Sequence, residues 1–134
     1  MPIPEQVRVL LATDEGVKQV LAGEGLVDIP EAWLVGSELR LTASKKQQFL
    51  LIAGKGPLLG ANTMRFWLAG RGRGGSYRIL LATIALQLEI LDSATNGYRD
   101  VRASAAFRDR VSRVVYRYGS GNYRPVVRTA EPMK

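Results

Sequence analysis

The amino-acid sequence predicts an α+β fold that is mainly β, with an N-terminal helix followed by a curved antiparallel β-meander. Apolar residues recur at helical spacing near the N-terminus, whereas later apolar stretches are short and are separated by glycine-containing turns. The chain has 134 residues, of which 46% are hydrophobic. That length supports one hydrophobic core, so we predict a single domain over residues 1–134.

The helical segment is predicted over residues 4–22. Pro4 suits the first turn of a helix, where its missing N–H costs no hydrogen bond. Thr13 or Asp14 interrupts the apolar pattern and is able to cap a second helix, so the segment fits either one bent helix or two short helices. Gly23 ends the pattern. We expect this segment to cover one face of the sheet.

Residues 39–127 are predicted to be mostly β-strands in one blade-like or small propeller-like sheet. The run Q-Q-F-L-L-I-A at residues 47–53 is typical of a strand buried on both faces. Residues 92–100 and 119–122 are predicted to be turns, and residues 129–134 a loose tail. The other strands are predicted at residues 39–43, 64–69, 77–82, 85–91, 101–106, 111–118 and 123–127.

The composition excludes several kinds of site. The chain has no cysteine and no histidine, which removes thiol nucleophiles, disulfides, Cys/His zinc sites and the usual general base at neutral pH. A hydrolase would have to use Asp92, Asp100 or Glu89, and no feature of the sequence indicates a cleft around them. We therefore predict that the protein is not an enzyme. We also expect no membrane span, since no apolar run approaches the ~20 residues that a spanning helix needs.

Positive charge is concentrated in the second half of the chain. Residues 1–64 carry six basic and seven acidic side chains, whereas residues 65–128 carry twelve arginines and four acidic side chains. The whole chain has a net charge of +7. Such a distribution favours an acidic protein or a nucleic acid as partner, while an arginine-rich surface that is merely solvated explains the same composition.

Residues 92–100 have the spacing of a calcium-binding loop. Asp92, Asn96 and Asp100 supply oxygen ligands around a glycine turn, and Ala94 occupies a position that cannot ligate. The segment resembles the D-x-D-x-D-G-x-x-D loops of FG-GAP-type β-propeller blades, a resemblance that implies Ca²⁺. The alternative is a plain Asn96-Gly97 β-turn whose flanking aspartates bond to the loop backbone. We predict the plain turn and no cofactor.

A wider pattern runs through about residues 47–125. It comprises F-W-L-A-G-R-G-R-G-G-S-Y-R-I-L-L, then N-G-Y-R-D-V-R-A-S-A-A, then Y-R-Y-G-S-G-N-Y-R-P. This pattern resembles a group of small exported bacterial proteins of unknown function, and distantly the propeller-like bacterial lysozyme inhibitors. The resemblance implies a periplasmic or secreted, non-catalytic protein. The first residues, M-P-I-P-E-Q, lack a signal-peptide pattern, so a cytoplasmic location is the alternative.

Arginines and tyrosines alternate in the last strands, a mixture that is enriched at protein interfaces. The alternative is that the rings pack across strands and bind no partner. A nucleic-acid interface is also open, since the segment R-G-R-G-G at residues 71–75 resembles a short RGG element. The oligomeric state is not predicted. The candidate binding residues are Arg99, Arg102, Ser104, Arg108, Arg110, Arg113, Tyr116, Arg117, Tyr118 and Tyr123.

Overall fold

In a computed structural model, the described part of the chain forms two short α-helices followed by eight β-strands, which confirms the predicted fold class. The structure describes residues 2–60, 63–72 and 74–132, with the backbone alone at Phe107. The helices are α1 (Glu5–Leu11) and α2 (Glu15–Gly23). The strands are β1 (Leu34–Leu39), β2 (Gln48–Gly54), β3 (Met64–Arg71), β4 (Tyr77–Ala85), β5 (Gln87–Thr95), β6 (Tyr98–Phe107), β7 (Arg110–Gly119) and β8 (Asn122–Pro132).

The helical segment is divided at Asp14 into two short helices, one of the two predicted arrangements. The Asp14 carboxylate accepts hydrogen bonds from the backbone N–H groups of Gly16 at 2.9 Å and Val17 at 3.3 Å. These bonds satisfy donors that the first turn of α2 leaves unpaired, so they fix where the second helix begins. Neither of the two described helices has the length and apolar composition that crossing a membrane requires.

The eight strands form two antiparallel meanders of four strands each, in the orders β1-β2-β3-β4 and β5-β6-β7-β8. The predicted meander is therefore present, but it divides into two sheets. The division falls after β4, at Leu86, whose backbone N–H donates to the carbonyl of Ser104 in β6 at 2.8 Å. From Leu86 onward the chain is thus hydrogen-bonded to the second sheet.

The first sheet is the middle layer of the molecule. Leu50 of β2 packs in a cluster with both helices, whereas its neighbour Phe49 packs in a cluster with the second sheet. A strand covered on both faces needs apolar side chains at successive positions. This explains the continuous apolar run at residues 47–53, where the predicted buried strand is confirmed as β2.

The second sheet is covered on one face only. Val101 is fully buried against the first sheet, whereas the neighbouring side chain of Arg102 is 37% exposed. Such a sheet alternates apolar and polar residues, as V-S-R-V-V-Y-R-Y does at residues 111–118. The layers therefore follow the order helices, first sheet and second sheet, with one solvated face on the last.

Two local predictions differ from the structure near the middle of the chain. Residues 39–43 were predicted to be a strand, but β1 ends at Leu39 and the buried Leu41 lies in the following loop. The carbonyl of Leu41 accepts the backbone N–H of Arg99 at 2.8 Å, so the loop itself pairs with the second sheet. Residues 92–100 were predicted to be a long turn, but only Asn96 and Gly97 separate β5 from β6.

The predicted loose tail at residues 129–134 is corrected over residues 129–132. Strand β8 continues to Pro132, which lies opposite Arg110 of β7. Backbone hydrogen bonding to β7 holds this segment, although nearly all of its side chains are exposed. Residues 133–134 lie outside the described residues.

Candidate functional site

The tyrosines that were predicted to bind a partner pack inside the molecule. Tyr118 stacks on Tyr98, with ring centroids 3.6 Å apart and planes 7° apart, and Tyr123 meets both rings edge-on. Tyr116 shares a hydrogen bond of 3.2 Å with the Thr83 hydroxyl, which joins the second sheet to the first. These rings therefore match the alternative of cross-strand packing.

Burial within this cluster changes the acidity of two phenols. Burial is the main cause that raises the pKa of Tyr123 above its ordinary value of 10.0. Burial, followed by the hydrogen bond with Tyr118, also raises the pKa of Tyr98. Phenols with raised pKa values stay protonated at neutral pH, so the cluster is a neutral part of the core.

Two of the predicted binding arginines are paired on the solvated face of the second sheet. Arg102 forms a two-pronged ion pair with Glu89, with Nε 3.2 Å from Oε1 and Nη2 2.9 Å from Oε2. This hydrogen bonding holds the pKa of Glu89 below its ordinary value of 4.5 and raises the pKa of Arg102. Arg113 Nη1 lies 3.3 Å from Glu131 Oε2 on β8. The positive charge of these arginines is therefore largely neutralised within the sheet.

Arg99 has a structural role at a strand irregularity. The pairing register of β5 and β6 shifts between Ile90 and Ala94. Arg99 Nε donates to the carbonyl of Leu91 at 2.7 Å, and its Nη2 lies 3.3 Å from the carbonyl of Ile90 and 3.2 Å from Asp92 Oδ1. The guanidinium thus supplies donors beside a bulge, where the ladder of strand hydrogen bonds is interrupted.

The candidate calcium ligands are engaged with protein groups. Asp100 is 3% exposed and accepts hydroxyl hydrogen bonds from Ser93 at 2.7 Å and Thr95 at 2.8 Å. Arg117 Nε lies 3.9 Å from the same carboxylate. The Asn96 amide donates to the carbonyl of Tyr118 at 2.8 Å. Among the described residues, no group of three or more His, Cys, Asp and Glu side chains is placed to hold a metal ion. These contacts fit a structural turn.

The other predicted binding residues lie toward the far end of the second sheet. Ser104 is half-buried, and Arg108 occupies the turn between β6 and β7 with a φ of +56°. Arg110 is exposed, and its backbone pairs with Phe107 of β6 and Pro132 of β8. The structure therefore does not bring the ten candidate binding residues together in one site.

A different basic surface lies at the end of the first sheet where β2 begins and β3 ends. Between Glu38 and Glu89 the sequence contains eight basic residues and no acidic residue. Gln48 of β2 lies opposite Arg71 of β3, which brings the loop at residues 40–47 beside the β3–β4 loop. We call the five exposed cations of this region the basic end: Arg40, Lys45, Lys46, Arg71 and Arg78.

Neutral partners hold the two arginines of the basic end. Arg71 Nε donates to the carbonyl of Gly75 at 3.1 Å, and its Nη1 lies 3.4 Å from Gln48 Oε1. Arg78 Nη2 donates to the Tyr118 hydroxyl at 2.8 Å. Neither guanidinium forms an ion pair with a carboxylate of the described residues. Both are therefore oriented without being neutralised.

The basic end was not recognised from the sequence because charges were counted in two halves of the chain. That division split the acid-free residues 39–88 between a nearly neutral half and a basic half. The absence of acidic residues over this segment was the available signal. Within the R-G-R-G-G segment, Gly72 N–H donates to the carbonyl of Ser76 at 2.9 Å, so this loop is closed by backbone hydrogen bonding. Arg73 lies outside the described residues.

Comparisons with protein-family models, with curated proteins and with solved structures gave no match to this chain. The resemblance to small exported bacterial proteins, to FG-GAP-type blades and to lysozyme inhibitors therefore stays a prediction.

Proposed function

We propose that this protein is a non-enzymatic binding module whose basic end docks onto an acidic partner protein. The observation that carries the proposal is the gathering of five exposed cations within residues 39–88, which contain no carboxylate. A surface of one sign attracts partners of the other sign and speeds their encounter. The second sheet has less unpaired positive charge, since Arg99, Arg102 and Arg113 each lie beside a carboxylate of the same sheet.

The state of the carboxylates supports a role without catalysis. Asp100 accepts two hydroxyl hydrogen bonds, and Glu89 is paired with Arg102. A hydrolase of the carboxylate-pair type needs one group that is held protonated and another that is ionised across a cleft. Asp100 and Glu89, two of the three candidate acids, are instead engaged in holding strands together.

The setting we propose is periplasmic or secreted, with an inhibitor-like mode of action in which the module covers an acidic cleft of its partner. The resemblance to exported bacterial proteins supports this setting. A cytoplasmic location is the alternative.

A nucleic-acid partner is the second candidate, and the same acid-free surface favours it. Phosphates bind cationic surfaces with a steep dependence on salt. Proteins that bind single-stranded nucleic acid also use exposed aromatic rings, on which the bases stack. Tyr98, Tyr118 and Tyr123 are packed against one another, which leaves the basic end without such a platform from this cluster. We therefore favour the acidic protein.

Affinity capture at low salt tests the proposal. The wild-type chain is the bait for periplasmic and secreted bacterial fractions, and a variant with Arg40, Lys45 and Lys46 changed to glutamine is the control bait. The proposal expects an acidic protein that the wild type retains, that salt elutes, and that the variant does not retain. Purified captured protein must then bind directly.

A gel-shift series with single- and double-stranded oligonucleotides separates the two candidates. Salt-sensitive retardation of oligonucleotides by the wild type, without direct binding to any acidic protein, would replace the first candidate with the second. Equal retention of a captured protein by the wild type and the variant would contradict both, because neither would then depend on the basic end.

A further inference from the structure

We propose that a pocket at the basic end receives a single carboxylate side chain, a glutamate or an aspartate, from the partner protein. This inference rests on the proposed acidic partner and names the site that recognises it. The pocket has a volume of about 290 Å³ and lies between the β3–β4 loop and the tyrosine cluster, with Arg71, Arg78, Gln47 and Tyr98 in its wall. That volume is at the lower end of ligand-sized pockets, about 300 to 1,000 Å³, and suits one side chain with a few waters.

Arg71 and Arg78 both line this pocket, and neither forms an ion pair with a carboxylate of the described residues. Arg78 is oriented by its hydrogen bond of 2.8 Å to the Tyr118 hydroxyl. That hydroxyl belongs to a ring stacked on Tyr98, so the bond anchors Arg78 to the core. Arg71 is held by the carbonyl of Gly75 and lies with its guanidinium carbon 5.6 Å from the centre of the Tyr77 ring.

Held guanidiniums lose little conformational freedom when an anion arrives, so the binding energy of their charge-assisted hydrogen bonds is retained. A planar guanidinium fork matches the two oxygens of a carboxylate. Two polar neutral groups, the Gln47 amide and the Tyr98 hydroxyl, also line the wall. The wall thus provides donors for both carboxylate oxygens.

The apolar part of the wall matches the rest of an acidic side chain. Phe49 and Leu80 line the pocket beside Gly70. A Cβ atom added to Gly70 would lie 3.1 Å from Leu80 Cδ1 and 3.2 Å from Phe49 Cε1, so a larger residue there would displace this wall. The methylene groups of a glutamate would contact the apolar side, while its carboxylate faces Arg78.

An adjoining pocket of about 270 Å³ shares Arg71 and adds Lys46. The shared arginine makes the two pockets neighbours, and both are cationic. A partner segment with successive acidic side chains would therefore place one carboxylate at Arg78 and another near Arg71 and Lys46. The recognised chemistry is an acidic stretch of protein chain.

A blocked oligoglutamate peptide is the direct probe, with a blocked oligoglutamine peptide of the same length as the uncharged control. Calorimetry or fluorescence titration at low salt compares the wild type with the single variants Arg71→Gln and Arg78→Gln. Each should weaken oligoglutamate binding by about tenfold, as expected for loss of a charge-assisted hydrogen bond. Arg110→Gln removes the same charge from the far end of the second sheet and should change binding less than about twofold.

If a variant unfolds, nitrogen-detected NMR of the wild type still tests the pocket. In the wild type, oligoglutamate should shift the guanidinium Nε–H signals of Arg71 and Arg78 and leave that of Arg102 unchanged. Shifts confined to other arginines, or equal weakening by Arg110→Gln, would overturn the pocket. Tighter binding of an oligothymidylate than of oligoglutamate, at equal salt and charge, would also overturn it in favour of phosphate.

These experiments distinguish a failure of the proposed pocket from a failure of the proposed function. If oligoglutamate binding depends on Arg71 and Arg78 but no acidic protein binds directly, the pocket stands and the function fails. If an acidic protein binds through Lys45 and Lys46 with no effect of Arg71→Gln or Arg78→Gln, the function stands and the pocket fails.

Discussion

Tyr123 donates its hydroxyl hydrogen bond to the backbone carbonyl of Arg99 at 2.7 Å, which joins the last strand to the beginning of β6. The phenol is 5% exposed, so this carbonyl has little access to water as a replacement donor. This bond therefore connects β8 with β6, across the intervening β7, beside the bulge that Arg99 itself stabilises.

Removing this hydroxyl tests the relationship. Tyr123→Phe should lower the free energy of unfolding by about 1 to 2 kcal/mol, because it leaves a buried carbonyl without a donor. Urea unfolding measures the change, with an unchanged dependence on denaturant. Tyr77→Phe is the matched control, since the Tyr77 hydroxyl has no hydrogen-bond partner among the described residues, and it should be nearly neutral. Equal effects of the two substitutions would contradict the assigned role.

The same phenol predicts how stability responds to alkaline pH. The folded-state pKa of Tyr123 is raised above the ordinary value of 10.0, mainly by burial. Its contribution to stability is therefore fully present below that value and is lost as pH rises through the folded-state pKa, because only the unfolded chain ionises at first. Unfolding midpoints measured from neutral pH to above pH 10 should fall for the wild type and fall less for Tyr123→Phe. A parallel decline of both proteins would count against the buried phenol as the cause.

Substitutions at Asp100 distinguish a structural role of residues 92–100 from calcium binding. Asp100→Ala should cost about 3 kcal/mol of stability, because the Ser93 and Thr95 hydroxyls both lose their acceptor, and Asp100→Asn should cost less. Asp92→Asn changes an exposed carboxylate of the same segment and should be nearly neutral by urea unfolding.

Calcium titration of the same proteins completes that comparison. Because the oxygens of Asp100 already accept hydrogen bonds, added Ca²⁺ should leave the melting temperature of the wild type unchanged. A saturable rise in melting temperature that is lost in both Asp92→Asn and Asp100→Asn would restore the calcium-loop interpretation.

The Arg102–Glu89 ion pair predicts a carboxyl titration. The pKa of Glu89 is lowered from 4.5, chiefly by the hydrogen bond from Arg102, so the pair favours the folded state above that value and less as pH falls through the folded-state pKa. Carbon-detected NMR titration should show the Glu89 pKa moving upward in Arg102→Gln. Arg113→Gln removes a weaker influence and should move it less. A Glu89 pKa unaffected by Arg102→Gln would mean that the pair does not persist in solution.

Local sequence patterns predicted much of the fold, because the burial of a strand determines which of its positions are apolar. The continuous run at residues 47–53 indicated a strand covered on both sides, and the alternation at residues 111–118 indicated a strand that the structure shows as β7. No local sequence pattern indicates the division into two sheets. At Leu86 the apolar pattern continues without a break, and the change of sheet is defined by a hydrogen bond to Ser104, which is distant in sequence.

The candidate site was less predictable, because the sequence does not specify which charges become paired. Arg102 and Arg78 are both strand arginines next to apolar residues. In the folded chain Arg102 lies opposite Glu89, whereas Arg78 contacts the neutral Tyr118 hydroxyl. Strand register decides between these outcomes, and a one-residue difference in register moves a side chain to the other face. Because arginines of the second sheet are paired with carboxylates, we assign the binding surface to the basic end and not to the second sheet, where the sequence predicted it.

The most direct test of the account compares two variants that lose the same charge from different places. One changes Arg40, Lys45 and Lys46 at the basic end to glutamine, and the other changes Arg108, Arg110 and Arg128 of the second sheet, all six being exposed. Binding to the captured acidic protein is measured for both by calorimetry at low salt. We expect the basic-end variant to lose about tenfold or more in affinity and the other variant to lose little, since contact charges matter more than distant screened ones. Equal losses, or a larger loss in the second-sheet variant, would contradict the assignment of binding to the basic end.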